Sequence, residues 1–387
     1  METNKDDFGP EYVVRVRDPK IGMEGFVVIH NTALGVGKGG IRLMPGVSEE
    51  EVSRLASTMT WKNAMAGIPF GGAKAGLRWP IMGKNGKMDT SLATKKKLVE
   101  AFARAVKPLL YAKYIAGPDV NSGETEMQWF VEATGNWGDA TGKPAKYCVG
   151  KGKNHKCGIP HEYGSTGFGI AQAAKIAAEM KHAPIKGATV SIHGFGNVGT
   201  FAYKFLTEMG AKVIAIADAR GVVHMPEGFD QKKVEKIIKD KKSITAYPGA
   251  KTLAADAFWS IPVDIMIPAS VTDVIHEGNY DRIKAHIIVE AGNIPMREQI
   301  EEKLVKKGVL IVPDFVANAG GVISSYAEHM GYSPEKMFKL VEERIGKAVR
   351  EVLSKSIKTR RNPRRVAVEL AKAKVSAAMS KRKGAFQ

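Results

Sequence analysis

The chain has 387 residues, enough for two to three domains of roughly 150 residues with cores that need no disulfide or metal support. Hydrophobic residues make up 44% and charged residues 25%, as in folded soluble proteins, which excludes wholesale disorder. Because no apolar run approaches about 18 residues and the N-terminus is polar, we expect no membrane span and no signal peptide. The two cysteines, Cys148 and Cys157, exclude a disulfide scaffold and suit a reducing cytoplasm, the compartment that we predict.

The formal net charge is +18, and the residues from Lys347 to the end contribute +11 of it. A basic balance can serve nucleic acid or an acidic surface, but it can equally form a solvated face or a tail that packs on an acidic neighbour. Since charge runs alone are weak indicators of function, we expect neither a membrane nor a nucleic-acid partner.

The first part of the chain mixes short strands with helices. Residues 26–30 are β-branched and precede polar and glycine residues, which predicts a strand. Ser48 is a predicted N-cap before three glutamates, and its helix should run to about Met65. We then expect a long glycine-rich loop over 68–87 and a second helix over about 91–110.

The middle third alternates apolar strands with helical patterns. A strand over 188–193 is followed by a helix to about residue 209 and a strand over 212–217. Further strands are predicted over 263–267, 286–290 and 309–312. Nearly continuous apolar runs are typical of parallel strands buried on both faces, so this alternation predicts a doubly wound sheet.

A glycine-rich hexapeptide joins the first of these strands to its helix. Its residues are Gly194, Phe195, Gly196, Asn197, Val198 and Gly199. This strand–turn–helix context indicates a dinucleotide phosphate site, and a glycine turn without a ligand is the alternative. Asp218 ends the second strand, where an aspartate accepts from the adenosine 2′-OH and favours NAD. Arg220 could instead contact a 2′-phosphate and favour NADP, so both coenzymes stay open.

Three lysines stand in glycine-rich or polar loop contexts, Lys38, Lys62 and Lys74, and Asp119 follows. Several cations converging on one pocket would bind a dicarboxylate, and they would lower the pKa of the most buried lysine, which makes a usable base. The alternative is that these lysines lie at the surface, as most lysines do.

Eight segments together resemble the glutamate/leucine/phenylalanine/valine dehydrogenase family, and its glutamate dehydrogenase branch in particular. The resemblance covers nearly the whole chain. The segments that carry it are the stretch around Lys38, 60–62, 68–74, 140–144, 194–199, 226–228, 289–293 and 312–322.

The resemblance implies a role for each matched residue of the first part. Lys38 resembles the lysine that binds the substrate's side-chain carboxylate, assisted by Ser325, and Lys62 resembles the one that pairs with the α-carboxylate. Lys74 matches the catalytic lysine and Asp119 the catalytic aspartate. Further substrate contacts are expected at Gly39, Thr166 and Val322.

The resemblance implies coenzyme contacts as well. Asn293 and Asn318 match residues near the nicotinamide and its ribose, and Thr166 resembles a threonine at the junction of substrate and nicotinamide. With the 194–199 loop, Asp218 and Arg220, these residues would hold NADP and/or NAD, and no metal is expected.

We therefore predict an α/β protein with an N-terminal mixed α/β substrate domain, a Rossmann-type doubly wound dinucleotide-binding domain and a cleft between them. Residues 1–183 would bind substrate and form the oligomer, and 184–361 would form the NAD(P)-binding domain with its following helices. A C-terminal helix over about 362–387 should pack back on the first domain. The resemblance implies a homohexamer.

The predicted reaction is the reversible oxidative deamination of L-glutamate to 2-oxoglutarate and ammonium, with hydride transfer to NAD(P). A leucine- or phenylalanine-type dehydrogenase is the alternative, and Lys38 with Ser325 discriminates, since those branches place an apolar residue at Lys38. A second alternative is an inactive regulatory or nucleic-acid-binding homologue, motivated by the basic tail. Intact Lys74 and Asp119 argue against lost catalysis.

The chain also departs from the family pattern. Ala75 replaces a common glycine, Met44 a more usual His or Ala, and Gly117 a small alanine beside the site. The segment 146–161 is longer and more basic than usual, and its metal-ligand types are Cys148, His155, Cys157 and His161. Their spacing matches no standard zinc finger, so we predict an ordinary surface loop.

Overall fold

The computed structural model describes residues 6–83 and 86–384, and within them the chain forms two compact units. The first unit comprises Met1–Tyr163, Val322–Met337 and Ala371–Gln387, and the second comprises Gly164–Gly321 and Phe338–Leu370. The division after Tyr163 differs from the predicted boundary at 183/184, because the helix that follows Gly164 packs within the second unit. The assignment of substrate and oligomer contacts to one domain stays a prediction.

The first unit contains a six-stranded sheet. Its strands run in the order β1-β2-β5-β3-β8, with β4 also paired to β5. The pairs β1/β2 and β2/β5 are antiparallel, whereas β3 and β4 are parallel to β5. The strands of this unit, including two small hairpins, are β1 (Tyr12–Asp18), β2 (Met23–Asn31), β3 (Gly37–Lys38), β4 (Ile41–Leu43), β5 (Gly71–Leu77), β6 (Ile81–Met82), β7 (Met88–Asp89), β8 (Tyr114–Ile115), β9 (Cys148–Val149) and β10 (Lys156–Cys157).

Helices cover both faces of this sheet. They are α1 (Glu49–Ala66), α2 (Leu92–Val106) and α3 (Glu124–Thr134). Along β2, Val27 and Ile29 enter the core that contains Phe102 of α2, whereas Phe26 and Val28 join the opposite cluster with residues of α1. Successive strand residues face opposite sides, and both sides are covered here, which explains why the middle of this strand, residues 26–29, is apolar throughout.

The predicted bounds of α1 are confirmed. The Ser48 hydroxyl accepts from the backbone N–H of Glu51, and Gly67 ends the helix in the left-handed region at φ 63°. Cap and terminator are local chemistry, so the sequence predicts them without the fold. The predicted second helix is also present, though its last turn is a 3₁₀ helix over Lys107–Leu109.

The predicted loop over 68–87 is wrong where β5 forms, and residues 84 and 85 of it lie outside the described residues. The glycines reflect close packing of α1 and not chain reversal. A Cβ on Gly72 would lie 2.0 Å from Thr60 Oγ1, and one on Gly76 would lie 2.8 Å from Val52 Cγ2, and both of these residues belong to α1. Residues 72, 74 and 76 alternate along the strand, so Lys74 lies on the same face of β5 as these two glycines.

The second unit is built on a seven-stranded sheet in the order β14-β13-β12-β11-β15-β16-β17. Its strands are β11 (Thr189–His193), β12 (Lys212–Asp218), β13 (Gly221–His224), β14 (Lys251–Leu253), β15 (Ile265–Pro268), β16 (Ile287–Val289) and β17 (Leu310–Val312). The five predicted strands are confirmed as a parallel set. Two strands were not predicted. After Asp218 the chain forms β13, which pairs antiparallel with β12 at the edge of the sheet, and β14, which pairs antiparallel with β13.

The helices of the second unit are α4 (Ser165–Met180), α5 (Asn197–Glu208), α6 (Gln231–Lys239), α7 (Glu298–Lys306) and α8 (Asp314–Ala317). Three further helices close the chain: α9 (Gly320–Met330), α10 (Pro334–Thr359) and α11 (Pro363–Gly384). The part of α11 from Ala371 onward belongs to the first unit, where Arg382 donates to Thr32 Oγ1 over 3.0 Å. Residues 385–387 of the predicted C-terminal helix lie outside the described residues. Among the described helices, none combines the length and apolar character that crossing a bilayer requires.

Candidate active site

The first unit brings Lys74 and Asp119 into direct contact. Lys74 Nζ lies 2.8 Å from Asp119 Oδ2, with both side chains largely shielded from solvent. Lys74 is held in the centre of β5, and Asp119 lies in a tight turn after β8 whose backbone N–H groups at 119 and 122 bond across it. A strand and a turn therefore fix the amino group of Lys74 against the carboxylate of Asp119, the pair predicted from the sequence.

Arg42 is a third member of this group that the sequence analysis did not assign. Its Nε donates to Asp119 Oδ2 over 3.2 Å, and its Nη1 lies 2.6 Å from Glu51 Oε1. Burial alone raises the pKa of Asp119, but Lys74 and Arg42 outweigh burial and hold it below its ordinary value. Asp119 is therefore ionised at neutral pH. The signal was available, because Arg42 follows Lys38 in the same glycine-rich segment.

Lys38 is a buried lysine whose side chain has no carboxylate partner among the described residues. Its Nζ donates a hydrogen bond to the carbonyl of Ala116 over 2.7 Å. The other buried lysines of the described chain, Lys74, Lys95 and Lys143, each lie 2.6 to 2.8 Å from a carboxylate. No carboxylate of a described residue lies within ion-pair distance of Lys38, and burial lowers its pKa to about 7.

Gly117 makes this position of Lys38 sterically accessible. A Cβ at residue 117 would lie 2.4 Å from Lys38 Nζ, closer than any tolerated contact. The predicted departure from the family's alanine thus has a structural consequence: the ammonium occupies the space that a methyl group would fill.

Four of the remaining predicted substrate contacts also belong to the first unit, whereas Thr166 belongs to the second. Lys62 is half-buried on α1, the helix packed on β5, and Gly39 follows β3 with its carbonyl accepting from Tyr114 Oη over 3.1 Å. Val322 and Ser325 lie on the part of α9 that belongs to this unit. Phe70, at the entry to β5, packs edge-on against Tyr326 and anchors that helix.

In the second unit the glycine loop has the geometry that a pyrophosphate requires. Gly194 has φ 102°, which favours glycine, and a Cβ on Gly199 would lie 2.0 Å from the carbonyl of Gly194. At Gly196 a Cβ would meet nothing within 4 Å, so the space beside the N-terminus of α5 is open. Backbone N–H groups and the helix dipole there suit a phosphate.

Asp218 ends β12 on the same edge of the sheet as the glycine loop. Its carboxylate accepts from the backbone N–H of Arg220 (2.8 Å), the hydroxyl of Ser243 (2.7 Å) and the N–H of Ile244 (2.8 Å). Burial raises its pKa, but these hydrogen bonds outweigh burial and hold it below the ordinary value. The Arg220 side chain is exposed and forms no ion pair with a described residue.

Asn293 and Asn318, the two asparagines predicted near the nicotinamide, are in contact. Asn318 Nδ2 donates to Asn293 Oδ1 over 3.1 Å and to the carbonyl of Ala291, while its buried Oδ1 accepts no hydrogen bond from a described residue. A buried acceptor without a donor fits an amide or hydroxyl group of a coenzyme. Thr166 is half-buried at the start of α4, where Gly320 packs against the adjacent Ser165.

A buried arginine positions both asparagines. Arg364 Nη2 lies 2.5 Å from Glu290 Oε2, its Nε lies 2.6 Å from Glu301, and its Nη1 lies 2.8 Å from Asp314. Asp314 in turn begins α8, which leads to Asn318, and its Oδ2 accepts from the backbone N–H of residue 294. The sequence analysis did not assign this network.

The segment 146–161 holds a disulfide, which corrects the expectation of two thiols in an ordinary loop. The antiparallel pairing of β9 with β10 places Cys148 directly opposite Cys157, and their sulfurs are bonded. His155 joins them with its Nε2 3.2 Å from Cys157 Sγ, and the three ligand atoms lie within 4.8 Å of one another without His161. Since both sulfurs are in the disulfide, no thiolate is left to bind zinc in this state.

Comparison with known proteins gives consistent matches over both units. The family model described as Glutamate/Leucine/Phenylalanine/Valine dehydrogenase matches residues 157–383, and the model described as Glu/Leu/Phe/Val dehydrogenase, dimerisation domain, matches residues 10–136.

Three relatives illustrate the similarity. A glutamate dehydrogenase of Aeropyrum pernix is 37% identical over 338 residues, covering 84% of this chain and 77% of the relative. An NADP-specific glutamate dehydrogenase of Saccharolobus shibatae is 35% identical over 363 residues, covering 88% and 81%. The crystal structure of a hetero-hexameric glutamate dehydrogenase from Thermus thermophilus, in its Leu-bound form, has a TM-score of 0.81 at 26% identity, covering 96% of this chain and 90% of that one. The chain therefore belongs to the Glutamate/Leucine/Phenylalanine/Valine dehydrogenase family.

Proposed function

We propose that the protein catalyses the reversible oxidative deamination of L-glutamate to 2-oxoglutarate and ammonium. The observation that carries this proposal is the buried ammonium of Lys38, which has no carboxylate partner among the described residues. A buried cation costs free energy unless an anion joins it, and the side-chain carboxylate of glutamate is such an anion. Relatives that are 35 to 37% identical carry the glutamate dehydrogenase name, which supports the same substrate.

In the proposed reaction the bound coenzyme supplies the hydride acceptor, and the side chains of this protein bind substrate and move protons. Lys38, with Ser325, holds the side-chain carboxylate, and Lys62 holds the α-carboxylate. These contacts fix the substrate Cα so that its hydride leaves in one direction, which converts an encounter into an oriented step. The product of that step is an iminium group on the substrate.

Lys74 and Asp119 complete the proposed mechanism. Water adds to the iminium carbon while Lys74, acting as the neutral amine, takes a proton from that water, which gives a carbinolamine. Ammonia leaves once Asp119 has protonated the nitrogen, and the hydroxyl proton released as the carbonyl forms passes to Asp119. Asp119, ionised beside Lys74 and Arg42, accepts a proton from the substrate's ammonium group and later returns one to the leaving nitrogen. The contact between the two side chains allows a proton to pass from one to the other without bulk water.

A leucine- or phenylalanine-type dehydrogenase is the alternative in the same family, and initial rates with glutamate, leucine and phenylalanine separate the two. Replacing Lys38→Leu together with Ser325→Val should weaken glutamate by roughly 10- to 150-fold, the worth of a hydrogen bond to a charged group, and raise relative activity on apolar amino acids. Retained preference for glutamate in this double variant would place the side-chain carboxylate elsewhere.

We further propose that NADP is accepted, alongside NAD. Arg220 is exposed and free of ion pairs with described residues, and its guanidinium suits a 2′-phosphate or the face of an adenine. The net charge of +18 also favours the more anionic coenzyme, and the Saccharolobus relative is named NADP-specific. Asp218 opposes this, yet three of its roughly four acceptor positions are already filled by its own chain.

Dissociation constants for both coenzymes on two variants test this preference. Arg220→Ala should weaken NADP much more than NAD, and Asp218→Ser should weaken NAD while sparing or improving NADP. An unchanged NADP/NAD ratio in Arg220→Ala would assign the choice to Asp218 alone and make the enzyme NAD-preferring.

Assembly and compartment complete the proposal. We infer a homohexamer in the cytoplasm, built through the first unit; the Thermus relative is described as a hetero-hexamer. Light scattering coupled to size exclusion gives the number of chains, and a monomer or dimer would contradict this assembly. Thiol trapping of Cys148 and Cys157 in intact cells reports the compartment, since a fully oxidised pair is typical of an oxidising space.

A further inference from the structure

The antiparallel hairpin of β9 and β10 is a feature of the first unit that the proposed reaction does not use. Its register places Cys148 directly opposite Cys157, and the two sulfurs form a disulfide. His155 lies two residues before Cys157, and its Nε2 is 3.2 Å from Cys157 Sγ. The two sulfurs and this nitrogen all lie within 4.8 Å of one another, so the hairpin gathers two soft ligand atoms and one imidazole at a single point.

The loop of the hairpin orients His155 in the way that a metal-binding histidine requires. His155 Nδ1 lies 3.5 Å from the carbonyl oxygen of Gly150, which can only accept, so Nδ1 carries the proton and Nε2 presents its lone pair to the sulfurs. Metal-binding histidines typically donate their second ring N–H to a carbonyl or carboxylate. Gly150 makes the tight loop possible, because its φ is 75° and a Cβ there would lie 2.2 Å from the carbonyl oxygen of Asn154.

A tetrahedral zinc ion fits these three ligands once the disulfide is reduced. With bonds of about 2.3 Å to sulfur and 2.0 Å to nitrogen, sulfur and nitrogen lie about 3.5 Å apart and the two sulfurs about 3.8 Å apart. The first separation is close to the 3.2 Å between His155 Nε2 and Cys157 Sγ. The second is within reach of Cys148 and Cys157, because residues opposite each other in an antiparallel pair have Cβ atoms about 4.5 to 5.5 Å apart.

We propose that the reduced hairpin is a zinc site, with Cys148, His155 and Cys157 as three ligands and water in the fourth position. A dithiol reductant supplies two electrons and two protons, which break the S–S bond and give two thiols, while the reductant itself becomes a disulfide. Zn²⁺ then displaces the two thiol protons to solvent and binds the two thiolates. Because the disulfide and the zinc complex use the same sulfurs, each form excludes the other.

A cross-link in either form would hold the hairpin against α9. Lys156 Nζ donates to the carbonyl of His329 over 3.3 Å, and the backbone N–H of Ile159 donates to the buried carboxylate of Glu328 over 2.7 Å. Two strands of two residues each are too short to be stable without such support. Zinc would therefore replace the disulfide where cellular thiols break it. None of the three zinc ligands takes part in the proposed reaction, so this inference goes beyond that reaction.

Titration of the reduced full-length protein with Zn²⁺ is the direct test. The protein is reduced with a phosphine, freed of reductant and metal under nitrogen, and titrated in competition with a chromogenic chelator. About one Zn²⁺ per chain should bind with a Kd of about 10⁻⁷ M or tighter, as at structural zinc sites. Co²⁺ in its place should give a thiolate-to-metal charge-transfer absorption. The same protein with its disulfide intact should show neither signal.

Three variants identify the ligands. Reduced His155→Ala keeps both thiols and should bind Zn²⁺ at least about 10- to 100-fold more weakly, since even the loss of a residue that only orients a ligand costs this much. His161→Ala, in the same segment but outside the group of ligand atoms, is the matched control and should keep the wild-type affinity. Cys148→Ser/Cys157→Ser should not bind. If circular dichroism shows that this double variant does not fold, the wild type with its disulfide intact is the reference without thiols.

Equal Zn²⁺ binding by the reduced and the disulfide forms would overturn the zinc site, and so would an unchanged affinity in His155→Ala. Zn²⁺ should also slow the return of the disulfide in oxidised glutathione, followed as the loss of free thiols, because bound thiolates are withheld from exchange. An unchanged rate would contradict binding through the sulfurs. Each of these results leaves the proposed reaction unaffected, since that reaction is tested separately with amino-acid substrates.

Discussion

At the scale of single residues, the site is a set of buried charged side chains, and not all of them have a partner of opposite charge among the described residues. Lys74 has Asp119, Asp119 also has Arg42, and Lys38 has a backbone carbonyl and no carboxylate of a described residue. Charges are rarely left unpaired inside proteins, because desolvation outweighs what a single hydrogen bond returns. Lys38 therefore marks the position where we place the negative charge of the ligand.

Lys74→Ala should lower kcat by roughly 10²- to 10⁴-fold, the usual contribution of a positioned acid or base. Binding of coenzyme, followed by fluorescence titration, should stay within a factor of a few, since the glycine loop and the asparagine pair belong to the other unit. Lys96→Ala, on an exposed face of α2, is the control and should leave turnover unchanged. Turnover of Lys74→Ala near the wild-type value would remove Lys74 from the mechanism.

Gly117→Ala should weaken glutamate binding. The new methyl group would overlap the ammonium of Lys38, so that side chain must move from its place beside the carbonyl of Ala116. The Michaelis constant for glutamate should change by about tenfold or more, as for a disturbed charged hydrogen bond, while that for norvaline, an amino acid of similar length without the side-chain carboxylate, stays constant. Gly46→Ala is the matched control, because a Cβ there meets nothing within 4 Å. An equal change for both substrates would indicate general damage to the pocket.

At the scale of elements, β5 shows how glycine content can mislead. The strand is buried along its whole length and carries Lys74, yet glycine is unfavourable in strands and typical of turns. The strand is stabilised by the close packing of α1, which is possible only because Gly72 and Gly76 of β5, which face α1, have no side chain.

Gly72→Ala should therefore destabilise the first unit, although alanine suits a strand better than glycine. The added Cβ would lie within 2.0 to 2.6 Å of Thr60 atoms, including its backbone, so α1 must shift. Overpacking of this kind costs about 1 to 3 kcal/mol of unfolding free energy, measurable by urea denaturation. Gly346→Ala, inside α10 with open space around it, should instead stabilise by up to about 1 kcal/mol. A neutral Gly72→Ala would show that α1 can move freely.

The β9–β10 hairpin gives a second prediction at this scale. Its disulfide closes a short loop, with 9 residues of sequence separation between the cysteines. In the chain-entropy estimate a loop of this size contributes about 2 to 3 kcal/mol. The Cys148→Ser/Cys157→Ser variant should lose about that much unfolding free energy, and dithiothreitol should destabilise the wild type but not the variant. Equal sensitivity to dithiothreitol in both proteins would contradict a stabilising disulfide.

At the scale of the whole molecule, several arginines of the basic C-terminal region pair with acidic side chains. Arg350 pairs with Glu179, Arg361 with Glu369, and Arg365 with two glutamates of α7, in addition to the buried cluster of Arg364. These contacts agree with the interpretation of the +11 charge as a tail that packs on acidic neighbours. Retention on heparin as a function of salt remains the direct measurement of a nucleic-acid role.

Arg364→Leu should cost about 3 to 5 kcal/mol of unfolding free energy near neutral pH, because it leaves buried carboxylates without their cation. Burial already raises the pKa of Glu290 well above its ordinary value, and loss of Arg364 removes the charge that opposes this rise. As pH falls, the folded variant therefore binds protons at a higher pH than the unfolded chain does. The loss of unfolding free energy relative to wild type should then shrink as pH falls. Arg361→Leu, which breaks an exposed pair with Glu369, is the control and should leave the free energy of unfolding nearly unchanged, because solvent screens that pair. A deficit that grows with acid would contradict this account.

The sequence by itself determined what depends on local chemistry and periodicity. The Ser48 cap and Gly67 terminator fixed α1, the apolar runs fixed the parallel strands of the second unit, and the Gly194–Gly199 spacing located the turn before α5. The family resemblance, carried by ordered short motifs, selected Lys74 with Asp119 and Asn293 with Asn318, and the structure brings each pair into contact.

Only the tertiary structure decided which groups compensate one another. The strand character of β5 depends on α1 lying against it, and the pairing of Cys148 with Cys157 depends on the register of β9 and β10. The position of Glu328 beside Lys143 joins residues far apart in the chain, as does the contact of Arg42 with Asp119. Charge compensation acts through space over a few ångströms, and sequence distance carries no record of it until the chain has folded.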